Sequence, residues 1–259
     1  MIAIKRSSWS LPYFIFLTIF AVLPLFLVAL YAFQDASGHF TLENFTRFFT
    51  DSDALGTFAL SIEVAIENTL LCLLLGYPAA WILANRKYNK SAVTVILFIL
   101  PMWVNALMRT LATAELFNVM GIELGKGTLL YGMVYDFLPF MIYPIYNTMM
   151  KIDKNLIEAA QDLGAGRMEV FRKVIFPLSM PGVVSGILMV FLPTISTFAI
   201  SELLTMNNIQ LFGSVIQTYI MQSDTMNYGA ALSLIMLLII GITSFFTGDD
   251  GENESAGLI

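Results

Sequence analysis

Six charged side chains stand inside apolar, membrane-length stretches of this chain, and they divide five to one: Glu63, Glu67, Glu115, Asp136 and Glu202 against Arg109. An ionised side chain in hydrocarbon costs at least about 2.5 to 3.5 kcal/mol, so such groups face an interior or aqueous cavity, pair, or give up their charge. Glu63 and Glu67 are four residues apart and share a helix face, which makes either available to neutralise Arg109. Glu115 is close to the water boundary of its stretch. These discounts leave Asp136 and Glu202 as the strongest candidates for contact with a solute. A surplus of carboxylates suits a cation, which exchanges hydration for carboxylates and aromatic faces, and repels an anion. Tyr135, Tyr143, Trp103 and Phe198 are near enough in sequence to offer such faces, although packing or interfacial anchoring is the commoner duty of an aromatic in a membrane helix.

The elements that must hold these groups are transmembrane helices. With 58% hydrophobic residues, 12% charged residues and a mean hydropathy of +0.77, the composition excludes an ordinary soluble domain. The pattern predicts an all-α polytopic membrane protein with six transmembrane helices, at about 11–33, 57–84, 92–117, 129–150, 182–204 and 229–247. The first apolar run is too long for the core of a signal peptide and lacks a small-residue cleavage site before Gln34, so it reads as an uncleaved span kinked at Pro24. Repeated Phe at 40, 45, 48 and 49 makes 34–56 a packed loop or short surface helix. Residues 209–221 are amphipathic and too short to cross; an external surface helix is the preferred reading over a re-entrant segment. With the N-terminus in the cytoplasm, ten of the thirteen Lys and Arg fall inside, among them Lys5, Arg6, Arg86, Lys87, Lys90, Arg172 and Lys173, while Arg47 and Lys126 fall outside. The positive-inside rule therefore puts both termini in the cytoplasm and the intramembrane acids in the outer half of the bilayer. Much of the net charge of -6 sits in the segment 248–259, which reads as a disordered acidic tail.

Several kinds of chemistry are missing. One His and one Cys provide neither a thiol cluster nor the usual nucleophile and base pair, and no phosphate-cradling Gly-rich loop is present. No catalytic residue and no metal site is expected, and His39 is given no role. An energy source, if transport is the function, must come from another chain. The longest polar interval between two spans, 153–182, is where it would act: Asp153 can cap a short helix, Gly164 can end it in the left-handed conformation, and a second amphipathic turn should run until Pro177 and Pro181 stop it and restart the chain as a membrane helix.

Within that interval Glu158-Ala159-Ala160, then Gly164, then Val174-Ile175-Phe176-Pro177 resembles the EAA signature of binding-protein-dependent ABC importer permeases. Val174 and Phe176 stand where that family usually has Ile and Leu, a mild departure. The stretches NTLLCLLLGYPAAWILA (68–84), LPMWVNALMRT (100–110), LPFMIYPIY (138–146) and LSMPGVVSGILMVFLPTIS (178–196) resemble one branch of it, the permeases of spermidine/putrescine importers. The resemblance implies a coupling helix-turn-helix at 153–176, between helices 4 and 5. It would dock in a groove on an ATP-hydrolysing subunit, with Glu158 and Gly164 holding the docking turn and Ala159, Ala160 and Pro177 completing the signature. It also implies an acidic residue at Glu202 in the polyamine branch. The expected pathway residues are Glu202, Asp136, Glu67, Glu63, Tyr135 and Trp103. The implied partners are a second, similar permease (as a heterodimer), two ATP-binding subunits and an extracytoplasmic solute-binding protein, in the cell membrane and without nucleic acid. ATP and Mg would sit on the partner subunits, with no cofactor in this chain. The alternatives are a permease for an anion, metal ion or osmolyte, and a membrane scaffold or sensor that transports nothing.

Overall fold

A chain in lipid must satisfy its own backbone, which leaves helices as the natural solution for long apolar segments. The computed structural model describes residues 11–35, 37–85 and 88–252. Lys5, Arg6, Arg86 and Lys87, which share in the orientation argument, lie outside the described residues. In chain order, α1 (Leu11–Leu17) passes through a π turn at Thr18–Val22 into α2 (Leu23–Ala32), and α3 (Glu43–Thr50) precedes α4 (Ser52–Ala84). Next, α5 (Ala92–Ile99) ends in a 3-10 turn at Leu100–Trp103. There follow α6 (Ala106–Val119), α7 (Lys126–Lys151), α8 (Lys154–Asp162) and α9 (Arg167–Val170). A π turn at Phe171–Ile175 leads into α10 (Phe176–Ser196), and α11 (Ala199–Thr205), α12 (Phe212–Met221) and α13 (Met226–Glu252) complete the chain. Five stretches are long and apolar enough to cross a bilayer: Pro12–Ala32, Ser52–Ala84, Lys126–Lys151, Arg167–Ser196 and Met226–Ser244. α5 and α6 make a sixth only as a pair bent by 92°.

Four expectations need correcting besides the form of the third span, whose break at Pro101 is a 92° bend between two helices. Val104 and Asn105 are extended, and the Asn105 side chain caps a new helix by accepting from the amides of Leu107 and Met108 at 2.9 and 3.3 Å. The fifth span does not reach residue 204 as one helix, because α10 ends at Ser196 and Glu202 rides on the separate α11. Pro177 and Pro181 do not break the chain: α9 runs on into α10 through the π turn, in which Phe176 N–H bonds Phe171 O, so the donor missing at Pro177 is absorbed by a register shift, and Pro181 lies within α10. The same device, two residues ahead of Pro24, replaces the kink expected in the first span. Finally, the acidic segment expected to be disordered from 248 is helical through Glu252, continuing α13, and 253–259 lie outside the described residues.

The chain divides into two compact units, Met1–Gly56 with Val215–Ile240, and Thr57–Ser214 with Gly241–Ile259. In the first, Ala32, Ala230 and Ala231 pack with Val28, Phe45 and Leu234. The Arg47 guanidinium lies 4.2 Å from the centre of the Tyr228 ring, whose hydroxyl donates to Asp51 at 3.1 Å. The packing expected of 34–56 is present in part, with Phe48 buried and Phe33 stacked on a largely exposed Phe40.

The second unit is built on α4, α7 and α10. Cys72, Met141, Ile142, Ile145, Val183 and Val190 share one buried cluster. Gly182 and Gly186, spaced as small-xxx-small, let α10 lie against the backbone of α7. A Cβ at Gly182 would come within 2.8 Å of Pro144 O, and one at Gly186 within 3.2 Å of Met141 O. Polar side chains stitch these helices: Asn68 donates to Thr194 at 2.8 Å, and Tyr77 and Ser179 share a hydrogen bond of 2.9 Å. Thr128, in the first turn of α7, donates to Leu204 O at 2.9 Å and so fixes the end of α11.

Candidate functional site

The buried charge lies where α6 meets α7. Because α6 restarts at Asn105, Arg109 falls one turn into a new helix and is carried inward, where its side chain is 7% exposed beside an Asp136 side chain 3% exposed. Nη2 of Arg109 is 3.2 Å from Oδ1 of Asp136. Thr110 donates to Oδ2 at 2.9 Å, and its hydroxyl also lies 2.9 Å from Ala106 O. The bonding is incomplete. Nε and Nη1 of Arg109 and Oδ1 of Asp136 are buried without a hydrogen-bond partner, so the 3.2 Å approach is a charge contact and not an aligned bond. Arg109 lines two cavities, as does Val104. One, of about 420 Å³, is lined by Trp103, Asn105, Arg109, Asp136, Phe137 and Phe140. The other, of about 450 Å³, is lined by Met108, Arg109, Thr113, Leu116, Tyr131 and Tyr135, with the Tyr135 ring centre 5.6 Å from the guanidinium carbon.

A second charged site joins α4 to the start of α7. Glu63 and Glu67, one turn apart on α4, both accept from Lys126 Nζ, at 2.7 and 3.0 Å. Here the side chains are open to solvent, at 56, 36 and 40% exposure for Glu63, Glu67 and Lys126. The expected pairing is therefore corrected. Arg109 is neutralised by Asp136 and not by either glutamate, and the glutamates are held by Lys126, a residue assigned to an external loop that is in fact the first residue of α7. Three of the five acids have resident cations. Glu115 is exposed and Glu202 half-buried, and among the described residues neither is in an ion pair. Trp103, 87% exposed at the bend, lines the first of these cavities and Tyr135 the second. Sequence reasoning missed Thr110 and Asn105; the signal available was the Asn four residues after Pro101, a cap ahead of an apolar run.

The polar interval between α7 and α10 folds as its residue types dictate. Asp153 caps α8 by accepting from Asn155 N at 2.9 Å. Gly164 adopts φ +87°, its N–H bonds Gln161 O at 2.9 Å, and Ala165 N–H bonds Ala160 O at 3.0 Å. This paired closure satisfies the last carbonyls of α8 and needs the left-handed residue that glycine supplies most cheaply. Glu158 and Gln161 face a cleft of about 440 Å³ shared with Trp81, Asn85, Met149 and Ile175. The turn itself presents Leu163, 90% exposed, and Met168, 75% exposed.

Comparison with known proteins shows the family. Residues 72–248 match the family described as "Binding-protein-dependent transport system inner membrane component". The chain is 35% identical over 220 residues to the spermidine/putrescine transport system permease protein PotB of Escherichia coli (strain K12), covering 78% of this chain and 80% of that protein. It is 32% identical over 255 residues to the protein of the same name from Haemophilus influenzae, covering 90% and 89%. Among solved structures, a bacterial ABC transporter involved in the import of the acidic polysaccharide alginate aligns with a TM-score of 0.68 at 15% identity over 95% of this chain and 94% of that one. The inward-facing MetNI methionine ABC transporter aligns with a TM-score of 0.62 at 14% identity over 77% and 94%; at these identities the likeness concerns the fold.

Proposed function

The chain belongs to the family of binding-protein-dependent transport system inner membrane components, as a permease subunit of an ABC importer, and on that footing we propose that its cargo is a polyamine of the spermidine/putrescine class. It is a multi-pass membrane protein, and ATP hydrolysis lies in a separate subunit. The observation that carries the cargo is identity above 30% to permeases of that name over most of both chains. The carboxylates support it less broadly than the sequence suggested, since Glu63, Glu67 and Asp136 have cations of their own. Glu202 is the intramembrane acid on which a cation reading now rests most directly.

In this reading the chain pairs with a second, different permease to enclose the pathway, two ATP-binding subunits dock beneath it carrying ATP and Mg, and a solute-binding protein delivers cargo from outside. Both termini lie in the cytoplasm. The helix-turn-helix of α8 and α9 is the coupling element, and the free side chains of Leu163 and Met168 support its docking on another protein. Closure of the ATPases would then drive alternating access through α10, which continues from the element without a break.

Reconstitution with the candidate partners and a panel of solutes tests the cargo: binding-protein-dependent uptake of spermidine or putrescine is expected, and uptake of an anion, metal ion or osmolyte in their place would overturn it. Glu202→Ala should lower polyamine uptake about tenfold; wild-type uptake would remove that residue from the pathway. Gly164→Asp should uncouple uptake from ATPase activity, whereas unchanged transport would leave the loop without a coupling role.

A further inference from the structure

We propose that Arg109 is a resident competitor for the cargo: its guanidinium occupies Asp136 while the pathway is empty, and an ammonium group of the cargo must displace it to engage that carboxylate. The inference rests on the polyamine reading above. Three observations carry it. First, the pair is built poorly for a permanent staple. A guanidinium meant to hold a buried carboxylate can use two parallel N–H donors, but here Nη2 alone approaches Oδ1, at 3.2 Å and without an aligned bond, while Nε and Nη1 have no acceptor. Second, the Asp136 oxygen that lacks a donor belongs to a carboxylate lining a cavity of about 420 Å³ walled by Trp103, Phe137 and Phe140, aromatic faces of the kind that stabilise a desolvated ammonium. Third, the displaced group has somewhere to go. Arg109 also lines the neighbouring cavity, whereas Asp136 does not, and the Tyr135 ring already lies 5.6 Å from the guanidinium on that side, with Tyr131 beside it.

The exchange conserves charge at the carboxylate, since one cation replaces another, so Asp136 is never left bare in a low-dielectric site. A neutral solute of similar size could not make the trade, which makes Arg109 a specificity residue. Tyr135 then serves the arginine and not the cargo.

The test uses the whole importer in vesicles, with binding protein loaded with spermidine or putrescine. The Arg109→Gln/Asp136→Asn double variant removes both buried charges together and is expected to assemble while losing uptake about tenfold or more. Arg109→Lys keeps the charge but lacks the planar fork, and is expected to lower the half-saturating concentration of loaded binding protein several-fold, roughly threefold to tenfold, because the resident cation yields more readily. Uptake by the double variant within about twofold of wild type, or an unchanged half-saturation in Arg109→Lys, would overturn the proposal and leave a structural pair. If the double variant fails to accumulate, the lysine variant decides alone. A wild-type importer that moves no polyamine would instead overturn the cargo reading, and this inference with it.

Discussion

The Lys126 clamp and the Arg109 pair solve the same problem, a carboxylate in a membrane helix, in opposite ways. At the clamp, one ammonium makes two short hydrogen bonds to Glu63 and Glu67 where water still reaches all three groups. At the pair, a delocalised cation and a carboxylate are almost wholly removed from water, yet three of their polar atoms lack a hydrogen-bond partner. The clamp is not perfect either, since Oε2 of Glu67 is buried without a hydrogen-bond partner, but its short bonds lie where they matter less energetically and the sparser bonding lies where desolvation is dearest. The lesson is that geometric quality and energetic weight separate: removing one partner should be felt at the buried site far more than at the exposed one.

The largest test of that contrast is Asp136→Ala, which strands a buried guanidinium. It is expected to destabilise the folded chain by about 3 to 5 kcal/mol, read as a fall in the melting temperature of the purified protein in mild detergent; a stable variant would break the comparison. The cycle formed by Arg109→Gln, Asp136→Asn and the double variant comes next. A coupling of roughly 1 to 3 kcal/mol is expected for residues that share a buried pair, and additive effects would show that the two charges ignore one another. Tyr135→Leu should cost about 0.5 to 2 kcal/mol through loss of the ring facing Arg109, with the same melting assay. Smallest of all is Lys126→Gln, which should leave the melting temperature unchanged. In the unaltered chain, raising salt from low to about 1 M, where the screening length is ~3 Å, should increase the reactivity of the Lys126 amine towards an acylating reagent without affecting melting of the Asp136 region.

The helix count and the helix-turn-helix were legible because each rests on local rules: bilayer-length apolar runs, Asp153 as a cap, Gly164 as a left-handed stop. The corrections arose where the outcome depends on groups far apart in sequence. Spacing alone made Glu63 and Glu67 the natural partners for Arg109, since the 92° turn between α5 and α6 that carries Arg109 to α7 has no periodic signature. Lys126 looked like a loop residue because nothing in a Gly-rich stretch announces that α7 starts there. The prolines misled for a related reason. Pro177 and Pro24 are written as breaks, but a one-residue widening of the preceding turn accommodates each within a continuous helix. In the first unit, the four phenylalanines of the 34–56 loop were correctly read as packed only in part, for Phe40 and Phe49 stand 76 and 70% exposed.

The close seating of Gly182 and Gly186 on α7 has a mechanical outcome. Two backbones that touch at Pro144 and Met141 leave no compliant layer of side chains between them to take up slip. α10 and α7 therefore form a single stiff beam, rooted at one end in the polar interval 153–176 and bearing Asp136 part-way along its other half. Torque applied to the root would move the carboxylate with the beam, while Arg109 rides on α6, which meets the beam directly and through α11, so a stroke that turned the beam against α6 would strain the contact between the two charges.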